Sequence, residues 1–283
     1  MKFDVVTDAV GFCEGPVQCR DGSIVITSLS DGCLYKVVDG QVSTFAMLGG
    51  GPNGAVEGEH GDLFVAQSGG VFLTKPDVPP AKGDVVLVRP DGSFEALGSG
   101  PRSPNDLAFG PDGMLYVTDP TRGTARDDGR LWRFDIESGE CEQLTTMPWY
   151  CNGIAFSTET DCFYVADTLS GRILRFRLDD PRTEKAELVV QMTRCVPDGF
   201  AFDATGNFVI ATVGRSESET GCLQVFSPEG KLLDIVETGS GQYCTNVAID
   251  AERNIVVTDS SKGRLLKGIW PHPGLPLHPF RGA

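Results

Sequence analysis

One pattern recurs along the chain: a polar residue, a short apolar strand, a turn, and a second apolar strand. Its clearest copies begin at Pro104 (PNDLAFGPDGMLYVTD), Cys151 (CNGIAFSTETDCFYVAD), Pro197 (PDGFAFDATGNFVIAT) and Thr245 (TNVAIDAERNIVVTD). Weaker copies begin at Cys13 (CEGPVQCRDGSIVITS) and Pro52 (PNGAVEGEHGDLFVAQ). The polar anchors are Glu14, Asn53, Asn105, Asn152, Asp198 and Asn246, spaced 39 to 52 residues apart. Alternation such as Leu115-Tyr116-Val117-Thr118 has the period of a strand. Asp21-Gly22 and Asp112-Gly113 mark turns between strands. A third strand follows in each copy, as at 129–134 and 171–176, and a fourth apolar run in most, as at 186–190. Four strands in a repeat of about 40–50 residues is the signature of a propeller blade. Six copies predict an all-β, six-bladed β-propeller forming a single domain over residues 1–283. A solenoid is the competing all-β repeat. The last copy has three strands, ending near Ile269, before a Pro-rich tail at 271–283 where a ladder strand is hard to build. Residues 2–7 are therefore expected to supply its fourth strand, which closes the ring and leaves no open edge.

The hairpin geometry places each anchor beside the end of its partner strand. Asn105 comes near Asp119, Asn152 near Asp167, Asn246 near Asp259, Asp198 near Thr212 and Glu14 near Thr27. Any one of these anchors, taken singly, reads as a turn residue bonding its own backbone. As a set they form a ring of oxygen-bearing side chains at one mouth of a central channel. A turn does not call for Glu14 in one blade and Asp198 in another. Two carboxylates with several amides make a hard-cation site, and two negative charges match one divalent ion.

Charge narrows the partners. The chain carries 24 Lys+Arg against 39 Asp+Glu, a formal charge of −15. Phosphate neutralisation needs a basic surface, so a nucleic-acid partner is excluded, as is an anionic membrane surface. A divalent cation and a small neutral substrate fit this charge. The first residues lack a signal-peptide pattern, no stretch is long and apolar enough for a transmembrane helix, and a cytoplasmic location is expected. The nine cysteines include no CxxC spacing, which fits a reduced protein using Cys as a small apolar residue. Cys13, Cys151, Cys195 and Cys244 each lie within three residues of an anchor; core packing is their expected role, with a thiol at the mouth as the sharper alternative. His60, His272 and His278 are the only histidines, which argues against a Ser-His-Asp triad and a histidine-rich zinc centre. Oligomeric state is not readable from the sequence.

The motifs Glu14-Gly15-Pro16, Asn105-Asp106, Asn152-Gly153 and Pro197-Asp198-Gly199, in this order, resemble the gluconolactonase/regucalcin (senescence-marker-protein) family across nearly the whole chain. Its members are six-bladed propellers. The resemblance implies that Glu14, Asn152 and Asp198 bind a divalent metal ion, Ca2+ first and Mg2+, Mn2+ or Zn2+ as alternatives. Asn105 would face the metal or the substrate. Sugar-lactone members often carry an Arg two residues before the third-blade Asn. This chain has Ser103 there and Arg102 one position earlier, so Arg102 is the substrate-binding candidate and a sugar-acid lactone loses support. The implied reaction is metal-dependent hydrolysis of a lactone, with Asp198 as the catalytic carboxylate, either general base or the group orienting water. The alternatives are hydrolysis of another bond, such as a phosphoester or strained electrophile, and a non-enzymatic calcium- or ligand-binding propeller. Residues 121–128 are the candidate lid, and 74–83 a second loop at the rim.

Overall fold

A computed structural model describes residues 1–70, 74–98, 100–120, 128–159 and 161–278. Each sequence repeat folds as one four-stranded antiparallel sheet, and six such sheets form the blades of a β-propeller. The N-terminal strand is β1 (Asp4–Thr7). Blade one is β2 (Cys13–Gln18), β3 (Ile24–Ser28), β4 (Cys33–Val38) and β5 (Gln41–Met47). Blade two is β6 (Pro52–Glu57), β7 (Leu63–Ser68), β8 (Gly83–Val88) and β9 (Phe94–Ala96). Blade three is β10 (Leu107–Phe109), β11 (Leu115–Asp119), β12 (Gly129–Phe134) and β13 (Cys141–Met147). Blade four is β14 (Cys151–Phe156), β15 (Cys162–Asp167), β16 (Arg172–Arg177) and β17 (Glu187–Gln191). Blade five is β18 (Val196–Phe202), β19 (Phe208–Val213), β20 (Leu223–Phe226) and β21 (Leu232–Val236). Blade six is β22 (Cys244–Ile249), β23 (Asn254–Asp259) and β24 (Arg264–Ile269), completed by β1 in the order β1-β24-β23-β22.

The closure is the one the repeat count requires. Asp4 pairs with Lys267 and Val5 with Leu266, antiparallel, so both chain ends lie in one blade. This pairing covers an edge that would otherwise present unpaired backbone groups. The single helical piece among the described residues is a 3-10 turn at Thr183–Lys185.

Apolar side chains fill the spaces between blades. Between blades four and five, Tyr164, Phe200, Phe202, Phe208 and Phe226 pack together, with the Phe202 and Phe208 rings 4.6 Å apart. Between blades three and four, Phe163 stacks on Phe176 at 5.2 Å and meets Tyr116. The alternation seen in the sequence therefore sends residues to both faces of each blade, each face packing on a neighbour. Full burial of such aromatic side chains stabilises by roughly 1.5–3 kcal/mol each. At the outer hairpin tips, Gly22 and Gly113 take φ of +84° and +81°, the left-handed conformation their turns need.

Six inner strands, β2, β6, β10, β14, β18 and β22, contact one another in a closed circle and line the axis. The tail does not add a strand. Gly274 bridges to Asp203, and the Leu275 amide donates to the Phe202 carbonyl at 2.9 Å. This carries residues 275–278 across the channel end opposite the anchors, where His278 meets the Phe156 ring edge-on at 5.8 Å. Residues 279–283 of the Pro-rich tail and residues 121–127 of the candidate lid lie outside the described residues.

Candidate metal centre

The inner strands are not regular. Pairing between strands one and two shifts at Glu14/Val17, Pro52/Ala55, Cys151/Ile154, Pro197/Phe200 and Cys244/Asn246. In blade three the ladder begins only at Leu107, just after Asn105 and Asp106. Every irregularity falls at an anchor. A bulge re-aims side chains that a flat strand would hold in strict alternation.

The same positions are where neighbouring inner strands come closest. The Thr27 hydroxyl donates to the Asn53 carbonyl, the Gly54 amide to the Asn105 carbonyl at 2.7 Å, and the Thr118 hydroxyl to the Asn152 carbonyl at 2.7 Å. A Cβ on Gly153 would lie 2.6 Å from the Asp198 carbonyl oxygen, and one on Gly199 would strike the Asn246 carboxamide. The Thr245 hydroxyl donates to the Cys13 carbonyl at 3.2 Å and closes the circle. The glycine after an anchor is thus a packing requirement, because the next inner strand occupies the space a side chain would take.

Glu14, Asn105, Asn152 and Asp198 are 6–8% exposed, and Asn53 is also buried. Glu14, Asn53, Asn152 and Asp198 sit on inner strands and Asn105 two residues before β10, at one end of the channel and beside the ends of their partner strands as the hairpin geometry predicts. Asn152 donates from its amide nitrogen to the Thr168 hydroxyl at 3.0 Å, which fixes the carboxamide and leaves Oδ1 as its side-chain acceptor. Asn246 is different: its Oδ1 accepts from the Val247 amide at 2.8 Å, so it braces its own strand. Two buried carboxylates and oxygen-donating amides fit a hard divalent cation. Among the described residues, the one group of three Asp, Glu, His or Cys side chains near enough to share an ion is Glu159, Asp161 and Cys162. That group lies on the outer part of blade four, where Arg175 and Arg177 already pair with its acids.

The partner-strand aspartates turn elsewhere. Asp119, Asp167 and Asp259 are fully buried. Asp119 accepts from the Arg102 and Ser103 amides at 2.9 and 3.0 Å and from the Trp132 indole at 3.2 Å. Asp167 accepts from Arg172 Nε at 2.8 Å, and Asp259 from Arg264 Nε at 2.9 Å and the Gly241 amide at 3.1 Å. Each of these three acids faces an Arg directly across the ladder: Asp119 and Arg130, Asp167 and Arg172, Asp259 and Arg264. These acids hold the loops that frame the mouth.

Arg102 stands at the rim. Its backbone amide is tied to Asp119, while its guanidinium meets Asp128 at 3.4 Å with a side chain 66% exposed. Ser103 is buried and donates to the Ser68 carbonyl at 2.9 Å. The rim loop at 74–83 packs against blade one, with Lys75 paired to Asp31 at 2.7 Å.

Asp106 is a functional candidate that the sequence reading quoted in a motif but gave no role. Its carboxylate accepts from the Leu107 amide at 2.9 Å and the Ile154 amide at 3.3 Å, joining blades three and four. Burial pushes its pKa up to about 6, against the opposing pull of those two amides. Asp106 and Asn246 look into a cavity of about 120 Å³ between the anchors and the tail, otherwise lined by groups such as Phe109, Phe156, Phe202 and Leu275. The histidines stay away from the anchors: His60 is exposed in a turn between strands one and two, and His278 lies at the tail end of this cavity.

Cys13, Cys151, Cys195 and Cys244 are fully buried, and all nine cysteines are free. Burial pushes the Cys151 and Cys244 thiols up to about 12, as packed thiols require.

Comparison with known proteins agrees with this architecture. A gluconolactonase of Zymomonas mobilis is 25% identical over 278 residues, covering 86% of this chain and 74% of that protein. The adipocyte plasma membrane-associated protein of Gallus gallus is 27% identical over 217 residues, 67% of this chain and 51% of that protein. The chain thus spans about half the length of the adipocyte relatives it matches. Among solved structures, a gluconolactonase from Xanthomonas campestris superposes with a TM-score of 0.77 at 20% identity, covering 96% of this chain and 89% of that one. A calcium-binding protein, regucalcin, from Agrobacterium tumefaciens gives 0.77 at 17% identity, covering 99% and 97%. Both structures share the fold. The family model described as the SMP-30/gluconolactonase/LRE-like region matches residues 12–261, and the chain belongs to that family.

Proposed function

We propose that the chain is a divalent-metal-dependent hydrolase that opens a lactone. The observation that carries this reading is the pair of buried carboxylates, Glu14 and Asp198, set on bulged inner strands at one mouth with the Asn152 carboxamide between β10 and β18. The gluconolactonase relative supports the reaction class, and the regucalcin neighbour, a calcium-binding protein by its description, supports Ca2+ as the first choice of ion. Glu14, Asn152 and Asp198 would hold the ion through oxygen. When bound, it supplies Lewis acidity toward a carbonyl and lowers the pKa of a water molecule. Asp198 orients the attacking water and accepts its proton at a carboxylate oxygen. Asn105 orients the ester by hydrogen bonding, and Asn152, being neutral, adds no charge to cancel the ion's field. The ring-opened product is a hydroxy acid, released with a proton. Nine free cysteines are consistent with a reducing cytoplasm as the working compartment.

The test is metal analysis of the purified protein followed by a pH-indicator assay across a lactone panel. One equivalent of divalent metal with proton release on lactones is expected. Metal bound without turnover on any ester or lactone would instead indicate a binding propeller.

A further inference from the structure

Between the anchors and the tail, the inner strands enclose a chamber of about 120 Å³. An apolar cavity of about 150 Å³ holds one benzene, so this chamber suits a molecule of slightly smaller size. The rings of Phe109, Phe156, Phe200 and Phe202 form much of its wall. One carboxylate, Asp106, stands among them. Among the described residues, His278 is the other titratable side chain on the wall, at the tail end against Phe156.

This carboxylate is fixed in place but its charge is not balanced. Asp106 Oδ1 accepts from the Leu107 amide at 2.9 Å and Oδ2 from the Ile154 amide at 3.3 Å, and both donors are neutral. A Cβ on Gly54 would overlap Oδ1, so the neighbouring inner strand holds the group from that side. Among the described residues no Lys, Arg or His pairs with Asp106. An ionised carboxylate buried without a counter-charge is costly, and burial accordingly raises this pKa to about 6. Well above that pH the group carries its charge against the desolvation cost.

The wall decides which cation suits the site. A metal ion such as Ca2+ takes about six or more oxygen ligands. The side chains here offer one carboxylate whose oxygens are already engaged, and the Asn246 carboxamide, whose Oδ1 accepts from the Val247 amide. An organic ammonium ion asks for less, since it is attracted to aromatic faces and needs one negative charge nearby. Asn246 Nδ2 adds a donor for a hydroxyl or ether oxygen on the same molecule. The tail side is the way in: Pro276 and Leu277 are exposed and His278 is half-buried, so a single chain segment separates the chamber from water.

We propose that this chamber binds a small organic ammonium ion, held between the Asp106 carboxylate and the phenylalanine rings at the end of the channel away from the anchors. The inference does not rest on the lactonase reading, since it uses none of Glu14, Asn152 and Asp198.

The experiment is isothermal titration calorimetry of the full chain at pH 8. Calcium is present in excess, so that any site at the anchors is filled, and ionic strength is held constant with sodium chloride. Tetramethylammonium is compared with tert-butanol, a neutral molecule with the same number of heavy atoms. Tetramethylammonium is expected to bind at one site per chain and at least about tenfold more tightly than tert-butanol, because only the cation gains from the rings and the carboxylate. Asp106→Asn keeps the shape of the wall and should bring the two affinities within about threefold of each other. Ala108→Leu keeps the charge but fills the chamber, and should abolish binding of both. A wild-type chain that does not bind tetramethylammonium, or binds both molecules equally, would overturn the proposal. So would a folded Asp106→Asn variant that keeps the tenfold preference. The wild-type comparison decides the matter whether or not either variant folds.

Discussion

Two sets of buried acids meet at the same mouth, and they do different work. Glu14 and Asp198 stand on the bulged inner strands. Asp119, Asp167 and Asp259 stand one strand further out, each directly opposite an Arg. Residue type and burial are alike in the two sets. What separates them is the partner across the ladder: an Arg makes a carboxylate a brace for the frame, whereas Glu14 faces Thr27 and Asp198 lies where the ladder is broken. The frame acids have their charge balanced by the chain itself. In the proposed function the anchors also take up a charge brought from outside.

The largest effect expected from this contrast is on chemistry. Asp198→Ala should remove the bound metal and lower lactone turnover by at least about 100-fold, in the range for loss of a positioned acid–base group. Its thermal unfolding should stay close to that of the metal-free wild type. Metal content, indicator assay and melting curve together check this. A fully active Asp198→Ala variant would sink the assignment.

The frame acids should behave in the opposite way. Asp259→Ala takes the acceptor from the Gly241 amide and the carboxylate partner from Arg264, whose guanidinium keeps the Gly239 carbonyl. A loss of about 3–5 kcal/mol is expected, as for removal of one member of a buried pair. Urea unfolding measures it, while metal affinity of the folded fraction should remain near wild type. If Asp259→Ala lost metal and kept its stability, the division between the two sets would fail.

Much of this was legible beforehand. Repeat spacing gave six blades, the short last copy gave the closing β1, and the ordered anchors gave the mouth. Spacing puts Asp119 near Asn105, but spacing does not tell which way a carboxylate turns. A signal was present, since Asp167 and Arg172, like Asp259 and Arg264, sit five residues apart around a short turn. Asp106 was quoted in its motif, yet its burial follows from the close approach of Gly54 and the Ile154 amide, which only packing reveals.

Asp106 gives the comparison a pH dimension. Its pKa is raised to about 6 by burial, so the folded state binds a proton more tightly than the unfolded chain. Stability from this group is therefore greatest below the ordinary carboxylate value and declines as pH rises toward 6. The decline is at most about 3 kcal/mol at roughly 1.4 kcal/mol per pKa unit. Asp106→Asn should flatten the stability profile between pH 4 and 6, measured by denaturant unfolding at a series of pH values. An unchanged slope in that variant would assign the pH dependence to other groups.

The smallest effect is expected at the rim. Arg102 shares a segment with the frame through its backbone amide, which any residue except proline can supply to Asp119. Among the described residues its guanidinium reaches Asp128, at 3.4 Å and in contact with water, a geometry that contributes under about 1 kcal/mol. Arg102→Ala should therefore leave the melting temperature and the bound metal nearly unchanged. If the substrate is neutral, KM and kcat should both stay within about threefold, since long-range charge gives little steering to an uncharged ligand. A rise in KM beyond about tenfold with kcat preserved would show that Arg102 swings from Asp128 onto an anionic substrate. Ser103 is buried and bonded to the Ser68 carbonyl, so replacing it with Arg must displace that bond. Comparing Arg102→Ala with Ser103→Arg across neutral and acidic lactones separates a mouth shaped for neutral esters from one that reads charge at its rim.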